Sequence, residues 1–246
     1  MKHIKNVPFA DDAFRMLDLY LPEQESFPVF VYFHGGGLVA GDRTGSAASM
    51  IFLAEHGVAV ASVEYRMYPE AKYPEFIEDC ALAIAWVKKN FSKYGNVEGI
   101  YAGGSSAGGY LSMMLCFDPK YLRAVGIDPL EIAGWFHDAG QPTKHFNVLK
   151  YSGEDERRVI VDESAPLYHI GTQKEHSPMR FIVSDNDMEN RYEQTMLVLS
   201  TMKHFGYSRY DHKVMHGKHC HYCNTVDGKE GGLGALVLDF IQDLPI

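Results

Sequence analysis

The chain has 246 residues, 46% hydrophobic and 13% aromatic, which suits one large α/β core better than two small domains. Its formal net charge of -9 excludes nucleic acid and anionic membrane surfaces as main partners. Residues 1–20 carry no apolar leader, and no run approaches the about 18 apolar residues of a membrane span. The four cysteines, at 80, 116, 220 and 223, are too scattered for a disulfide scaffold, so a cytoplasmic protein is expected.

Residues 13–22 (AFRMLDLYLP) alternate and predict an antiparallel edge strand. FPVFVYF (27–33) predicts a buried strand, and GVAVASVEY (57–65) a second. Residues 74–95 predict an amphipathic helix that opens near Pro74 and stops at Gly95. A strand over 97–104, a helix over 107–117 and strands over 131–140 and 179–187 follow. A helix over 191–207, a strand over 209–217 and a helix over 234–244 close the chain. The alternation predicts a mostly parallel central sheet flanked by helices on both faces. Residues 141–175 lack clear periodicity and read as a small lid-like insertion within one domain spanning 1–246.

Residues 103–109, GGSSAGG, fall directly between a strand and a helix. A phosphate loop would need Lys and Ser/Thr where Gly109 and Tyr110 stand, and G-x-G-x-x-G fails at Ser105. The run does fit G-x-S-x-G, as Gly104 to Gly108 centred on Ser106. In that turn the central serine is pushed clear of the sheet at a strained position, and the flanking residues must be small. Ser106 is therefore the expected nucleophile, and Ser105 is expected to be there because it is small.

A serine hydroxyl needs an oxyanion site, a base and an oriented acid. His34-Gly35-Gly36-Gly37 follows a buried strand, and the N–H groups of Gly36, Gly37 and Ala107 are the expected oxyanion donors. His34 precedes the serine, so it is read as structural. The acid is expected just past MRFIVSDND (179–187), where Asp185 and Asp187 both qualify. Asp187 is favoured because it falls further beyond the apolar run; Asp138 is the third choice. The base is expected in VMHGKHCHYCN (214–224), where His219 is favoured over His216, with His221 as the fallback.

The same segment raises metal chemistry, because Cys220, Cys223 and neighbouring histidines are zinc-ligand types. Structural zinc sites normally draw ligands from two separate loops, and the other cysteines lie in helical segments. No metal and no cofactor are expected on that ground. A redox role for the Cys-x-x-Cys pair is not favoured either, since that motif belongs at a helix start.

Three motifs in order carry a family resemblance: VYFHGGGLVAGD (31–42), VASVEYRMYPEAKYPEFIEDCALAIAWV (60–87) and GGSSAGG. ESAPLYHI (163–170) adds a fourth. The chain resembles the α/β-hydrolase carboxylesterases of the hormone-sensitive-lipase and acetylesterase group over residues 13 to 245. The resemblance implies the α/β-hydrolase fold, a Ser-His-Asp triad and hydrolysis of small carboxylic esters without a cofactor. It supports Ser106, Asp187 and His219 as catalytic residues, with Gly36, Gly37 and Ala107 at the oxyanion. Leu38 stands where the group usually has an aromatic residue, so one wall of the acyl pocket is expected to differ. A small lid suggests an open site suited to acylated sugars. Amide cleavage by the same triad and a catalytically silent, receptor-like binding protein are the alternatives. Glu64, Arg66, Glu70 and Asp79 are expected to form ion pairs that brace the loop against the next helix.

Overall fold

The computed structural model describes residues 1–224 and 232–244. In chain order the strands are β1 (Lys2–Pro8), β2 (Met16–Leu21), β3 (Ser26–Phe33), β4 (Ala59–Val63), β5 (Asn96–Ser105), β6 (Gly134–Asp138), β7 (Met179–Asn186) and β8 (Tyr210–Lys218). The helices are α1 (Ala47–Glu55), α2 (Glu75–Asn90), α3 (Ala107–Phe117), α4 (Lys120–Ala124), α5 (Phe146–Tyr151), α6 (Pro166–His169), α7 (Arg191–His204) and α8 (Leu233–Gln242). All strands join one sheet in the order β1-β2-β4-β3-β5-β6-β7-β8. From β4 through β8 every pairing is parallel, and β1 and β2 add an antiparallel margin.

Two apolar cores sit on the two faces. Val29, Val31 and Phe33 of β3 point to one core, closed by α2, α3 and α7. Phe30 and Tyr32 point to the other, closed by α1 and α8. Burial on both faces is why β3 reads as an unbroken apolar run rather than an alternation. β8, at the edge of the sheet, alternates partly buried with exposed residues. The expected edge strand over 13–22 is β2, but it is interior: β1 lies outside it. β1 and α1 were not expected from the sequence. β1 is polar and lacks alternation, and α1 has no capping side-chain bond, no acidic first turn and no basic last turn.

The expected bracing pairs form only in part. Arg66 bonds the buried Asp79 through Nε and Nη2, at 2.9 and 2.8 Å. Glu64 instead pairs with Arg43 at 2.8 Å, and Glu70 has no ion pair among the described residues. Among the described residues no helix is long and apolar enough to cross a membrane.

Candidate active site

Parallel strands end at one edge of the sheet, and the sequence motifs collect there. The HGGG loop leaves β3, Ser106 leaves β5, Asp187 leaves β7 and His219 leaves β8. Register sets their depth: Phe33 pairs with Gly104, Ser105 with Asp138, and Asn186 with Lys218.

The small-residue run follows from what surrounds it. A Cβ on Gly104 would lie 2.3 Å from the Phe33 carbonyl oxygen, and one on Gly108 only 1.9 Å from the same atom. A Cβ on Gly103 would meet the Phe136 carbonyl at 2.4 Å, and one on Gly109 the Asp138 carbonyl at 2.5 Å. Backbone carbonyls cannot step aside, so all four positions are closed to larger residues. Ser106 itself has φ 56° and ψ -112°, a rare conformation for a residue with a Cβ. Its N–H donates to the Asp138 carbonyl at 2.8 Å, which holds the turn from the neighbouring strand.

Ser106 Oγ lies 2.8 Å from His219 Nε2, and His219 Nδ1 lies 2.5 Å from Asp187 Oδ1. A carboxylate can only accept, so Nδ1 carries the proton in that bond. The Asp187 side chain is fully buried and also accepts from the N–H groups of Ser184 and Met188, at 3.2 and 2.7 Å. Burial opposes its charge, but the His219 bond and these backbone donors outweigh burial and hold its carboxyl below the usual range. Burial likewise disfavours a charged His219, yet the bonds to Asp187 and Cys220 prevail and push it up to about 9.

The other sequence candidates sit elsewhere. Asp185 holds the exposed His216 at 2.6 Å and accepts from the Gly217 N–H at 2.8 Å. His221 donates through Nδ1 to the Lys218 carbonyl at 2.9 Å on the exposed side of the loop. Asp138 is fully buried beneath Ser105 and takes hydrogen bonds from Tyr222 and Cys223, at 3.3 Å from Cys223 Sγ. His34 stacks on Tyr65 with ring centres 4.4 Å apart and donates to the Gly35 carbonyl, both architectural roles.

Ser105 requires more than small size, contrary to expectation. Its hydroxyl belongs to a buried polar cluster with Tyr32, Asp138 and Cys223. Leu38 is fully buried in the core, with φ 65°.

Gly36 and Gly37 adopt φ of 120° and 67°. Among the described residues their N–H groups, and that of Ala107, meet no backbone carbonyl acceptor. The Gly37 carbonyl is fixed by Asn147 Nδ2 at 2.5 Å, and Phe146 lies beside the same glycine. Both residues come from α5, in the segment whose sequence has no clear period, so only the fold reveals them. Arg191, buried at the start of α7, donates to the carbonyl of Ala139 and anchors the turn after β6. Chemically, this is a hydroxyl beside a histidine and a histidine beside a carboxylate, with N–H groups in the glycine loop and at the start of α3 that no backbone carbonyl takes up among the described residues.

Residues 17–124 match the BD-FAE family model. The esterase LipC of Mycobacterium tuberculosis is 33% identical over 128 residues, 48% of this chain and 32% of that protein. An acetyl esterase of Salmonella schwarzengrund is 32% identical over 133 residues, 52% of this chain and 40% of its own length. The matched part thus spans less than half the length of either curated relative. Among solved structures, esterase B of Lactobacillus rhamnosis superposes with a TM-score of 0.81 at 19% identity, covering 98% of this chain and 84% of that one. Its complex with a tributyrin phosphonate inhibitor gives 0.75 at 21% identity, covering 90% and 78%. The chain therefore has the α/β-hydrolase fold, and its resemblance runs to esterases of the hormone-sensitive-lipase and acetylesterase group.

Proposed function

We propose that the protein is a serine hydrolase that cleaves short-chain carboxylic esters, acylated sugars among them, through an acyl-enzyme. The observation that carries this reading is the unbroken chain of contacts from Ser106 through His219 to Asp187. Ser106 Oγ attacks the ester carbonyl while His219 Nε2 takes its proton. Asp187 orients the ring and stabilises the imidazolium. The N–H groups of Gly36, Gly37 and Ala107 receive the developing oxyanion, each worth about 3 kcal/mol of barrier in such sites. The imidazolium then protonates the leaving alcohol, and a water activated by the same histidine releases the acid.

The names of the esterase relatives support the ester rather than the amide. Contact between His219 and Ser106 argues against a silent binding protein, which would have no use for it. Residues 141–175 are read as a lid-like part of the one domain: α5 reaches the oxyanion loop through Asn147. Four unpaired cysteines fit a reducing compartment, and we assign the protein to the cytoplasm on that ground.

A fluorophosphonate probe with peptide mapping, followed by a p-nitrophenyl acyl series, tests the reading. Labelling at Ser106 with turnover that falls as the acyl chain lengthens is expected, together with release of acetate from sugar acetates. Labelling without ester turnover would favour an amidase. Long-chain triglycerides turned over faster than short esters would sink the substrate class.

A further inference from the structure

Cys220 and Cys223 share the loop that carries His219, and neither is used by the hydrolase chemistry. The fold brings a third donor to them from the sheet. Cys223 Sγ lies 3.3 Å from Asp138 Oδ2, and the ligand atoms of Asp138, Cys220 and Cys223 all fall within 4.8 Å of one another. Tetrahedral zinc, with Zn–S about 2.3 Å and Zn–O about 2.0 Å, sets S···O edges of about 3.5 Å and S···S edges of about 3.8 Å. The three donors therefore need little movement to enclose one ion. Tyr222 OH donates to Asp138 Oδ1, which leaves Oδ2 turned toward Cys223. Such a hydrogen bond from behind is how metal-binding carboxylates are held in place. His219 Nε2 lies 3.7 Å from Cys220 Sγ but outside the set of donors that all fall within 4.8 Å of one another, so it reaches an ion there only by turning away from Ser106. His216 and His221 take no part, since one is held by Asp185 and the other by the Lys218 carbonyl.

We propose that Asp138, Cys220 and Cys223 bind a thiophilic divalent cation of the zinc class, and that His219 turns from Ser106 to become the fourth ligand, so that the ion switches off the serine. Two sulfurs select soft or borderline metals over magnesium and calcium. Occupation releases to solvent the two thiol protons and the Nε2 proton of a charged His219, and no electron changes hands. Once Nε2 is bound to the metal it cannot accept the Ser106 proton. Binding stands on the geometry of the donors; the inhibition rests on the hydrolase reading above.

The reduced protein is titrated with Cd²⁺ and with Zn²⁺. Binding is read by the thiolate-to-cadmium ultraviolet band and by native mass spectrometry, beside ester turnover. One ion per chain is expected, with turnover falling as the site fills and returning with EDTA. Cys223→Ser and Tyr222→Phe should each weaken binding by about 10-fold or more, and His221→Ala should leave it unchanged. If Cys223→Ser does not fold, Cys220→Ser supplies the comparison. Absence of the thiolate band in folded, reduced protein overturns the site, as does wild-type affinity in Cys223→Ser. Full occupancy with undiminished turnover overturns the switch. The band needs no turnover, so a chain that hydrolyses no ester still tests the site.

Discussion

Asp187 and His219 meet at 2.5 Å inside the protein, while Asp185 and His216 meet at 2.6 Å on its surface. Two aspartates two residues apart, one in β7 and one just past it, thus each take a different histidine, one in β8 and one just past it. The choice is made by backbone register. Ser184 faces Met215 and Asn186 faces Lys218, with an irregularity in register between them. The outer histidine is 98% exposed and the inner one 21%, so only the inner pair lies where a hydroxyl can be shielded from water.

Substitution should separate the two pairs. His219→Ala is expected to lower kcat by several orders of magnitude and Asp187→Asn by about 10⁴, as a misoriented or wrong-tautomer base would. His216→Ala and Asp185→Asn should stay within about twofold of the parent, because exposed ion pairs contribute little. Steady-state kinetics on a p-nitrophenyl ester, with equal circular dichroism for all four variants, checks this.

The pH profile should carry the mark of a raised histidine. His219 is pushed up to about 9, so at neutral pH most of it is the imidazolium, which donates to Ser106 and cannot take its proton. kcat/KM is expected to climb with pH until that proton leaves, and Cys220→Ser should move the rising limb toward lower pH. Stability runs the opposite way for this group: its pairing stabilises fully below the ordinary histidine range and fades as pH rises through about 9. Asp187, lowered in the fold, contributes above the ordinary carboxylate range, and acid removes that contribution. A rate profile flat from neutral pH upward would contradict the role given to Cys220.

Gly108→Ala should be among the worst single changes in the chain. Its methyl would lie 1.9 Å from the Phe33 carbonyl oxygen, so strand β3 or the start of α3 must move. A loss of about 4 kcal/mol or more is expected, seen as a large drop in thermal midpoint or as insoluble protein. Gly126→Ala makes the control: nothing lies within 4 Å of the added carbon, so only the strain of its φ of 76° remains and the loss should be clearly smaller.

Asn147→Ala should damage turnover more than stability. Its amide fixes the Gly37 carbonyl at 2.5 Å, and that carbonyl belongs to the loop proposed to bind the oxyanion. We expect kcat to fall by about 10-fold with KM little changed, since a loosened donor is lost mainly in the transition state. A matching loss of thermal stability without a kcat effect would make Asn147 a packing residue only.

What the sequence disclosed and what it hid divide along range of interaction. The tight turn at Ser106 was legible because its small residues stand at a short fixed spacing, although the carbonyls that exclude larger ones belong to the distant Phe33, Phe136 and Asp138. The alternation of strands and helices was legible for the same reason, down to β3 and α3 within a residue. Choosing between Asp185 and Asp187, or among three histidines, depends on the β7–β8 register, which no local pattern encodes. Ser105 looked like filler because Tyr32, Asp138 and Cys223 come from three distant elements. Asn147 and Arg43 were invisible for that reason too: their partners are Gly37, and Asp18 with Glu64.

The Phe33 carbonyl oxygen, pressed by the positions of both Gly104 and Gly108, ties the end of β3 to the turn at Ser106 as one rigid casting. Any engineering of substrate range must therefore leave 103–109 untouched and work on what can shift independently. Val39, exposed beside the glycine loop, and Tyr151, exposed at the end of α5, are side chains free to be varied. A library confined to those two places would leave the parts that must stay aligned in register.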